Sequence, residues 1–475
     1  MRPNILEIKN PFTKGYVSPR SLLSKSSIIF VWTIWAIMFL IALACVFIYG
    51  RNIPLAEDWH MVAPLTGNEP NLASWLWAQN NEHRIPLPKL VLLFLLKISN
   101  GDFRIGMVLN VLCFGLLAAL LIKVFYNLRD GITTYSDAFF PILLLHIGNW
   151  ENFFWSWQFT FVLSTVLTCI LIAIVIKYKS LMDIREAIIA AMCMVFLPLC
   201  GANGLLYLLP VMPWLAFEGF LHFRLKEPGA DRRIGLILLM ATALTILIMI
   251  TYFIGYHRPS WYPPSPGITA TLITAIKFMA LGFGPIAAAS WGASGFLVCI
   301  LIISTATLLL FTILKFRGSE LRRAIGLLFF LGGNIIFALA MGYGRATMVP
   351  PVGLPMRYVL LAVPTLIICY SSWQLYGLSV LRKIIQSGLF ITVFILIFHN
   401  TLKGLGWRNW YIKGADAVLR DIKIGVPQSQ LVTRHQKFLL HWDRNMLING
   451  MNQLKQAGMG PLKYMKEDTI LKNIP

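Results

Sequence analysis

Charge is scarce in this chain. Asp, Glu, Lys and Arg make up 13% of 475 residues, while 57% are hydrophobic. A soluble globular protein carries roughly 25% charged residues, so a soluble enzyme is excluded, and the apolar excess excludes a disordered chain. Cysteine is present but carries no pattern. Cys45, Cys113, Cys169, Cys193, Cys200, Cys299 and Cys369 lie in or beside apolar segments, with neither CxxC nor metal-ligand spacing, which excludes a secreted disulfide scaffold. No Walker loop, GxGxxG after a strand, HExxH or GxSxG occurs, so nucleotide-driven transport and soluble-type nucleotide-sugar chemistry have no support. What the chain does have is a succession of apolar blocks near the roughly 20 residues that cross a bilayer as a helix. It reads as an all-α integral membrane protein of many passes.

Acidic residues are scarcer than basic ones, giving a net charge of +21. The basic residues sit mainly between apolar blocks, where they set orientation in the membrane rather than bind nucleic acid. The first 27 residues are basic, and the apolar run 27–49 exceeds the roughly 7–15 residues of a signal-peptide core. It is expected to be an uncleaved first span with the N-terminus cytoplasmic. Residues 51–98 then form an outside loop, in which 87–98, opened by Pro86 and Pro88, is too short to span and fits a juxtamembrane helix. Further spans are expected near 105–123, 133–148, 159–176, 188–199, 205–221, 234–254, 287–314, 324–341, 358–376 and 384–399, about eleven in all. Residues 268–284, with Lys277 inside, are taken as a surface or re-entrant helix, because counting them would turn Lys315, Arg317, Arg322 and Arg323 outward. The chain divides into a multi-pass domain, 1–402, and a small C-terminal extracytoplasmic appendage, 403–475, in which helical spacing over 445–457 is stopped by Gly458, Gly460 and Pro461.

The expected outer face collects the residues that do chemistry. Glu57 and Asp58, followed by Trp59 and His60, are adjacent acids near the membrane. Such acids are expensive unless paired, hydrated or used, and proximity raises at least one pKa toward that of a general base. Gln79, Asn80, Asn81, Glu82, His83 and Arg84 place acceptors, donors and a cation before the half-helix; an Arg fork suits phosphate oxygens, and a polar helix cap would look the same. Trp150, Glu151 and Asn152 lead to Trp155, Trp157 and Gln158, which fits a sugar-facing rim and equally an interfacial aromatic belt. Arg345 and Arg357-Tyr358 flank Pro350-Pro351 and face outward against the charge bias, as an anionic partner at the interface would require. Tyr256, His257, Arg258, Trp261 and Tyr262 form another aromatic and basic loop.

In this order along the chain, the features resemble the GT-C superfamily of integral membrane glycosyltransferases, which includes protein mannosyltransferases and lipid A aminoarabinose transferases. The likeness rests on Glu57-Asp58 in the first outside loop, the juxtamembrane helix after it, the number of spans and the C-terminal appendage. Asn80 to Arg84, Trp150-Glu151-Asn152 with Trp157-Gln158, Arg357-Tyr358, and the ending from Leu454 to Pro461 add to it. The resemblance implies a polyprenyl-phosphate-linked sugar donor and a glycan, lipid or protein acceptor in the envelope of a bacterial inner membrane. It implies Asp58 as base, Glu57 as its partner or a metal ligand, and Arg84, His83, Arg345, Arg357 and Tyr358 around the leaving phosphate. Glu82, Glu151, Asn152 and Gln158 would meet sugar or acceptor hydroxyls. A divalent cation, Mg2+ or Mn2+, would fall to Glu57, Asp58 and His60, and the absence of a second acidic motif leaves it open. A transporter or flippase of lipid-linked sugars and a non-catalytic envelope assembly protein are the competing classes; the latter predicts that the polar clusters do not meet in space.

Overall fold

The computed structural model describes residues 19–178, 182–224, 230–348, 354–439 and 442–468. Among them there is no strand, and the only extended pairings are two isolated bridges, Asn80 with His83 and Pro427 with Lys466. That is the expected response of apolar sequence to a bilayer, where a helix satisfies its backbone hydrogen bonds internally.

Helix α1 (Pro19–Tyr49) leads to a 3-10 turn (Ala56–Met61), α2 (Val62–Thr66), α3 (Leu72–Trp77) and α4 (Pro86–Ile98). Then come α5 (Arg104–Leu128), α6 (Phe139–Leu145), α7 (Trp150–Phe154), α8 (Phe159–Lys177) and α9 (Ile184–Phe196). Helices α10 (Ala202–Leu208), α11 (Val211–Arg224), α12 (Arg232–Phe253), α13 (Ile268–Ala280) and α14 (Trp291–Lys315) follow. The chain ends in α15 (Gly318–Arg345), α16 (Val359–Tyr376), α17 (Ser379–Lys423), α18 (Gln428–Leu439) and α19 (Arg444–Gln456).

Eight helices among the described residues are long and apolar enough to cross a membrane, or nine if α10 and α11, bent by 50° at their junction, make one pass. The chain is a multi-pass α-helical protein, with fewer unbroken passes than the eleven expected. The apolar stretch 133–148 is interrupted by a 3-10 turn at Tyr135–Ala138 and yields only the seven-residue α6. Of residues 188–199, only those up to Phe196 belong to the thirteen-residue α9, which gives way to a turn opened by Pro198. Hydropathy registers burial whether the apolar residues face lipid or protein, and every residue of α6 is buried inside the bundle.

Helix α16 is the axis of the bundle, with 89% of its most apolar stretch buried, against 11% for α1 at the rim. Helix α4 is an amphipathic half-turner: Leu90, Phe94 and Ile98 form an exposed apolar stripe while Leu92, Leu93 and Leu96 are buried. Lys89 Nζ donates to Trp75 O at 2.9 Å and Ala78 O at 3.1 Å, capping α3 at the carbonyl end where a cation is favoured.

The 45-residue α17 is about 68 Å long at 1.5 Å per residue, more than twice a hydrocarbon core of about 30 Å. The appendage boundary at 402/403 therefore falls inside one unbroken helix. Beyond it α19 folds back onto α2 and the 56–61 turn. Gly450 permits this, since a Cβ there would stand 2.9 Å from the Trp59 ring.

At the far end of α5 from this loop, a buried ionic network joins four elements. Arg129 Nη1 donates to both Asp137 oxygens, at 2.9 and 2.6 Å, and Tyr370 OH donates to Asp137 at 2.8 Å. Gln374 accepts from Arg129 Nε at 2.9 Å and from Gln386 of α17 at 3.0 Å. Removing one member of a buried pair strands the other charge, at a cost of about 3–5 kcal/mol. Arg129→Met should therefore lower the melting temperature in detergent markedly, and Arg129→Met with Asp137→Leu should recover much of the loss. Equal melting of wild type and the single variant would show that the pair contributes nothing.

Candidate functional site

The loop ends nearest α4 are drawn together by hydrogen bonds from buried polar groups. In the 56–61 turn the adjacent acids diverge. Asp58 is buried and its carboxylate accepts the Leu55 N–H at 3.2 Å and the Trp157 N–H at 2.9 Å, tying the first loop to the turn before α8. Burial pushes its pKa well above the usual carboxylate range, while those two bonds oppose the rise. Glu57 instead lines a cavity, and no other residue among those described hydrogen-bonds its carboxylate. Burial raises its pKa too, opposed by the positive charge of Arg357. Ala56, just before the pair, sits at φ 46°, and Asn81, just before Glu82, at φ 51°. A left-handed conformation costs a non-glycine residue roughly 1–2 kcal/mol, so both acids are presented by strained backbone.

Residues 80–83 close a tight turn in which Asn80 and His83 exchange backbone hydrogen bonds at 2.7 and 2.9 Å. The 150–158 segment is fixed from α5, where Asn110 Nδ2 donates to Asn152 O at 3.0 Å and Trp155 O at 3.1 Å. Gly106 on the same helix leaves the space that Ser156 occupies.

Two cavities of unlike character meet here. The smaller, about 50 Å³, is polar and bounded by Glu57, Asn80 to His83, Trp157, Gln158, Arg345, Arg357 and Tyr358. The larger, about 260 Å³, is mostly apolar and runs between α10, α15 and α16 along Leu206, Phe337, Met341 and Leu361. Glu82, His83, Phe161, Tyr262, Arg345 and Tyr358 line both.

The two arginines of the polar cavity are each oriented by an acid. Arg345 pairs with Glu82, donates from Nε to Tyr358 OH at 3.1 Å and stacks 4.0 Å from the centre of the Tyr262 ring. Arg357 binds Glu151 through Nη1 at 2.6 Å and through its backbone N–H at 2.9 Å. His83 is a neutral donor: its Nδ1 accepts the Ala202 N–H at 3.1 Å, and burial, helped by Arg357, pulls its pKa down to about 4. The ring proton is thus on Nε2, 3.6 Å from Glu82. Three acceptor atoms on cavity-lining residues, Glu82 Oε2, Gln158 Oε1 and Asn203 Oδ1, are buried without a protein donor.

Several expected residues serve other purposes. Arg84 lines neither cavity; its guanidinium donates to the carbonyls of Tyr252, Trp77 and Ile254 at 2.7–2.9 Å, so it joins α3 to the end of α12. Glu151 and Asn152 stand behind Arg357, with Asn152 Nδ2 donating to Arg357 O at 3.4 Å, and do not reach the cavities. The His60 ring packs 6.0 Å from Trp157, outside both cavities. Among the described residues no three His, Cys, Asp or Glu side chains are grouped to hold a metal ion. Pro350 and Pro351 lie outside the described residues. Asn203 and Phe161 are additions that sequence reasoning passed over; the break at Gly201–Gly204 in an apolar run was the signal for the first.

No known protein family, no curated protein and no solved structure matches the chain.

The depressed pKa of His83 has a definite pH consequence. Below about 6.5 the unfolded histidine takes up a proton that the folded one refuses until about 4. The neutral-state stabilisation is therefore complete above pH 6.5 and is lost as pH falls from 6.5 to 4. Across that window the melting temperature of His83→Gln should fall less than that of wild type. Parallel curves would show that His83 protonates freely in the folded chain.

Proposed function

We propose that the protein is a membrane glycosyltransferase of the GT-C kind, moving a sugar from a polyprenyl-phosphate carrier to an acceptor hydroxyl of the cell envelope, with inversion. The observation that carries this reading is convergence. Glu57, Glu82-His83, Gln158 and Arg345 with Arg357, from four separated stretches of chain, line one polar cavity, which an assembly protein has no need to arrange. The cavity offers what a sugar phosphate requires: two oriented guanidinium groups, a neutral imidazole N–H, and acceptor atoms lacking donors. The adjoining apolar cavity suits the first isoprene units of the carrier.

Geometry favours Glu57 over Asp58 as base, because Glu57 alone of the two faces the cavity. Its burial-raised pKa brings it closer to working pH, as general base catalysis prefers. The acceptor O–H would give its proton to Glu57 as its oxygen bonds to the anomeric carbon. The anomeric C–O bond breaks and its electron pair leaves with the phosphate, whose growing charge falls to Arg345, Arg357 and His83 Nε2–H. Glu57, Asp58 and His60 do not fit a divalent cation, since both Asp58 oxygens are held by backbone N–H groups; no step runs through a metal. A cavity of about 50 Å³ holds water rather than a sugar ring, so donor entry requires the Tyr262 loop to move outward. The reading keeps eleven passes by counting α6 and α9 as broken crossings, the N-terminus in the cytoplasm of a bacterium and α18–α19 outside the inner membrane.

The test is transfer of radiolabelled sugar from a panel of polyprenyl-phosphate sugars. Glu57→Gln should lower the rate by about 10²–10⁴-fold, the usual worth of a general base. Asp58→Asn should lower the melting temperature, and Arg357→Ala should weaken donor binding. Wild-type rates in Glu57→Gln would remove its assignment as base. Donor binding without transfer by wild type would shift the reading to a flippase or an assembly protein.

A further inference from the structure

A third concavity, sharing no residue with the two cavities above, opens where α1 ends and α5 begins. Its volume is about 510 Å³, and Arg51, Asn52, Arg104, Lys463 and Tyr464 are among its walls. Phe47, 68% exposed, is also among its walls and belongs to the last turns of the apolar helix α1, so the concavity lies where that helix ends. The end of a membrane-spanning apolar helix is where headgroups, rather than acyl chains, are met.

Its charge is uneven. Arg51 is committed to Asp416, at 2.7 Å, and to the Ile48 carbonyl at 3.0 Å, so it serves as wall. Arg104 binds Asp102 through Nε and Nη2 only, and its side chain is 48% exposed. Lys463 has no ion pair among the described residues and stands 4.9 Å from the centre of the Tyr464 ring. The C-terminal turn is built to put it there. Leu462 and Met465 are buried and anchor the segment, while Lys463 and the 71%-exposed Tyr464 are turned outward. Gly460, at φ 57° before Pro461, makes the bend. Three cations against two acids leave a net positive charge concentrated on Lys463 and half of Arg104.

We propose that this groove binds the phosphate headgroup of an anionic phospholipid, with Lys463 and Arg104 as the charge-reading residues, fastening the C-terminal turn to the bilayer surface. The occupant is a lipid rather than a soluble anion because the groove opens onto the exposed apolar edge of α1. Cations near an anionic surface are each worth a few-fold in affinity.

Native mass spectrometry of the full chain released from nanodiscs of phosphatidylglycerol or of phosphatidylcholine tests this. Wild type should retain phosphatidylglycerol in preference to phosphatidylcholine. Lys463→Gln combined with Arg104→Gln should reduce that retention by about five- to tenfold, Lys463→Gln alone by less. Lys413→Gln, which removes an exposed charge on α17 outside the groove, should leave it unchanged. Equal retention of the two lipids, an equal loss in Lys413→Gln, or displacement of the lipid by millimolar inorganic phosphate would each overturn the assignment. A melting temperature like that of wild type in the single variant guards against misfolding as the cause.

Discussion

The arrangement at the loop end depends on one buried carboxylate. Asp58 holds the Trp157 N–H from 99 residues away along the chain and the Leu55 N–H from its own turn. Both donors are buried loop amides that would otherwise lose water without replacement, a penalty of roughly 1–3 kcal/mol each. Satisfying them with one carboxyl group fixes the distance between the first loop and the start of α8. Glu57 and Gln158, which both line the polar cavity and are each adjacent to one end of that link, inherit that distance. Asn110 repeats the device from α5, and α19 closes over Trp59 from outside. The C-terminal helices are thus part of the site's support.

The two glutamate–arginine pairs are better understood as orientation than as stability. Desolvating such a pair consumes most of what the attraction returns, and Glu82 keeps one oxygen without a donor. What the pairs achieve is to hold two planar cations at the cavity wall with their charge partly compensated. Under the proposed transfer, an incoming phosphate would meet donors already aimed, which is where electrostatic preorganisation gains its advantage. Strain at Ala56 and Asn81 fits the same pattern, since unfavourable backbone persists only where the surroundings over-determine it.

The long passes were legible because an apolar block of bilayer length has few alternatives, and α1, α5, α8, α12, α14 and α15 lie where hydropathy put them. The broken segments were not, because composition is silent on whether a buried apolar run is continuous; α6 contains Pro141 and is flanked by 3-10 turns. At the site, the clusters were legible as residue types, but the side each residue faces was not. Successive residues of a 3-10 turn point about 120° apart, so of two adjacent acids one enters the cavity and one the protein. Arg84 and Arg345 looked alike in sequence. Only the packing of α3 and α12 assigns the first to three carbonyls and leaves the second beside the cavities. His83 likewise takes its tautomer from Ala202, a backbone group 119 residues away.

The meeting of the two cavities limits what the ligand can be. Six residues are shared between a polar wall and an apolar channel, so whatever occupies both is an amphiphile with its polar end toward Glu57 and its tail along α15. Tyr262 stands at that junction, stacked on Arg345, and its carbonyl accepts from Arg258, which in turn packs on Tyr343 of α15. Apart from the stack on buried Arg345, the loop is held by exposed groups, Arg258 on Tyr343 and the hydrogen bonds that Gln79 exchanges with the His257 backbone, which cost less to open than the buried bonds holding the opposite wall. Under the proposed transfer, this asymmetry makes the 256–262 loop the movable side. The wall built on Asp58 and Asn110 would stay fixed and hold Glu57, the proposed base, in register with the proposed acceptor.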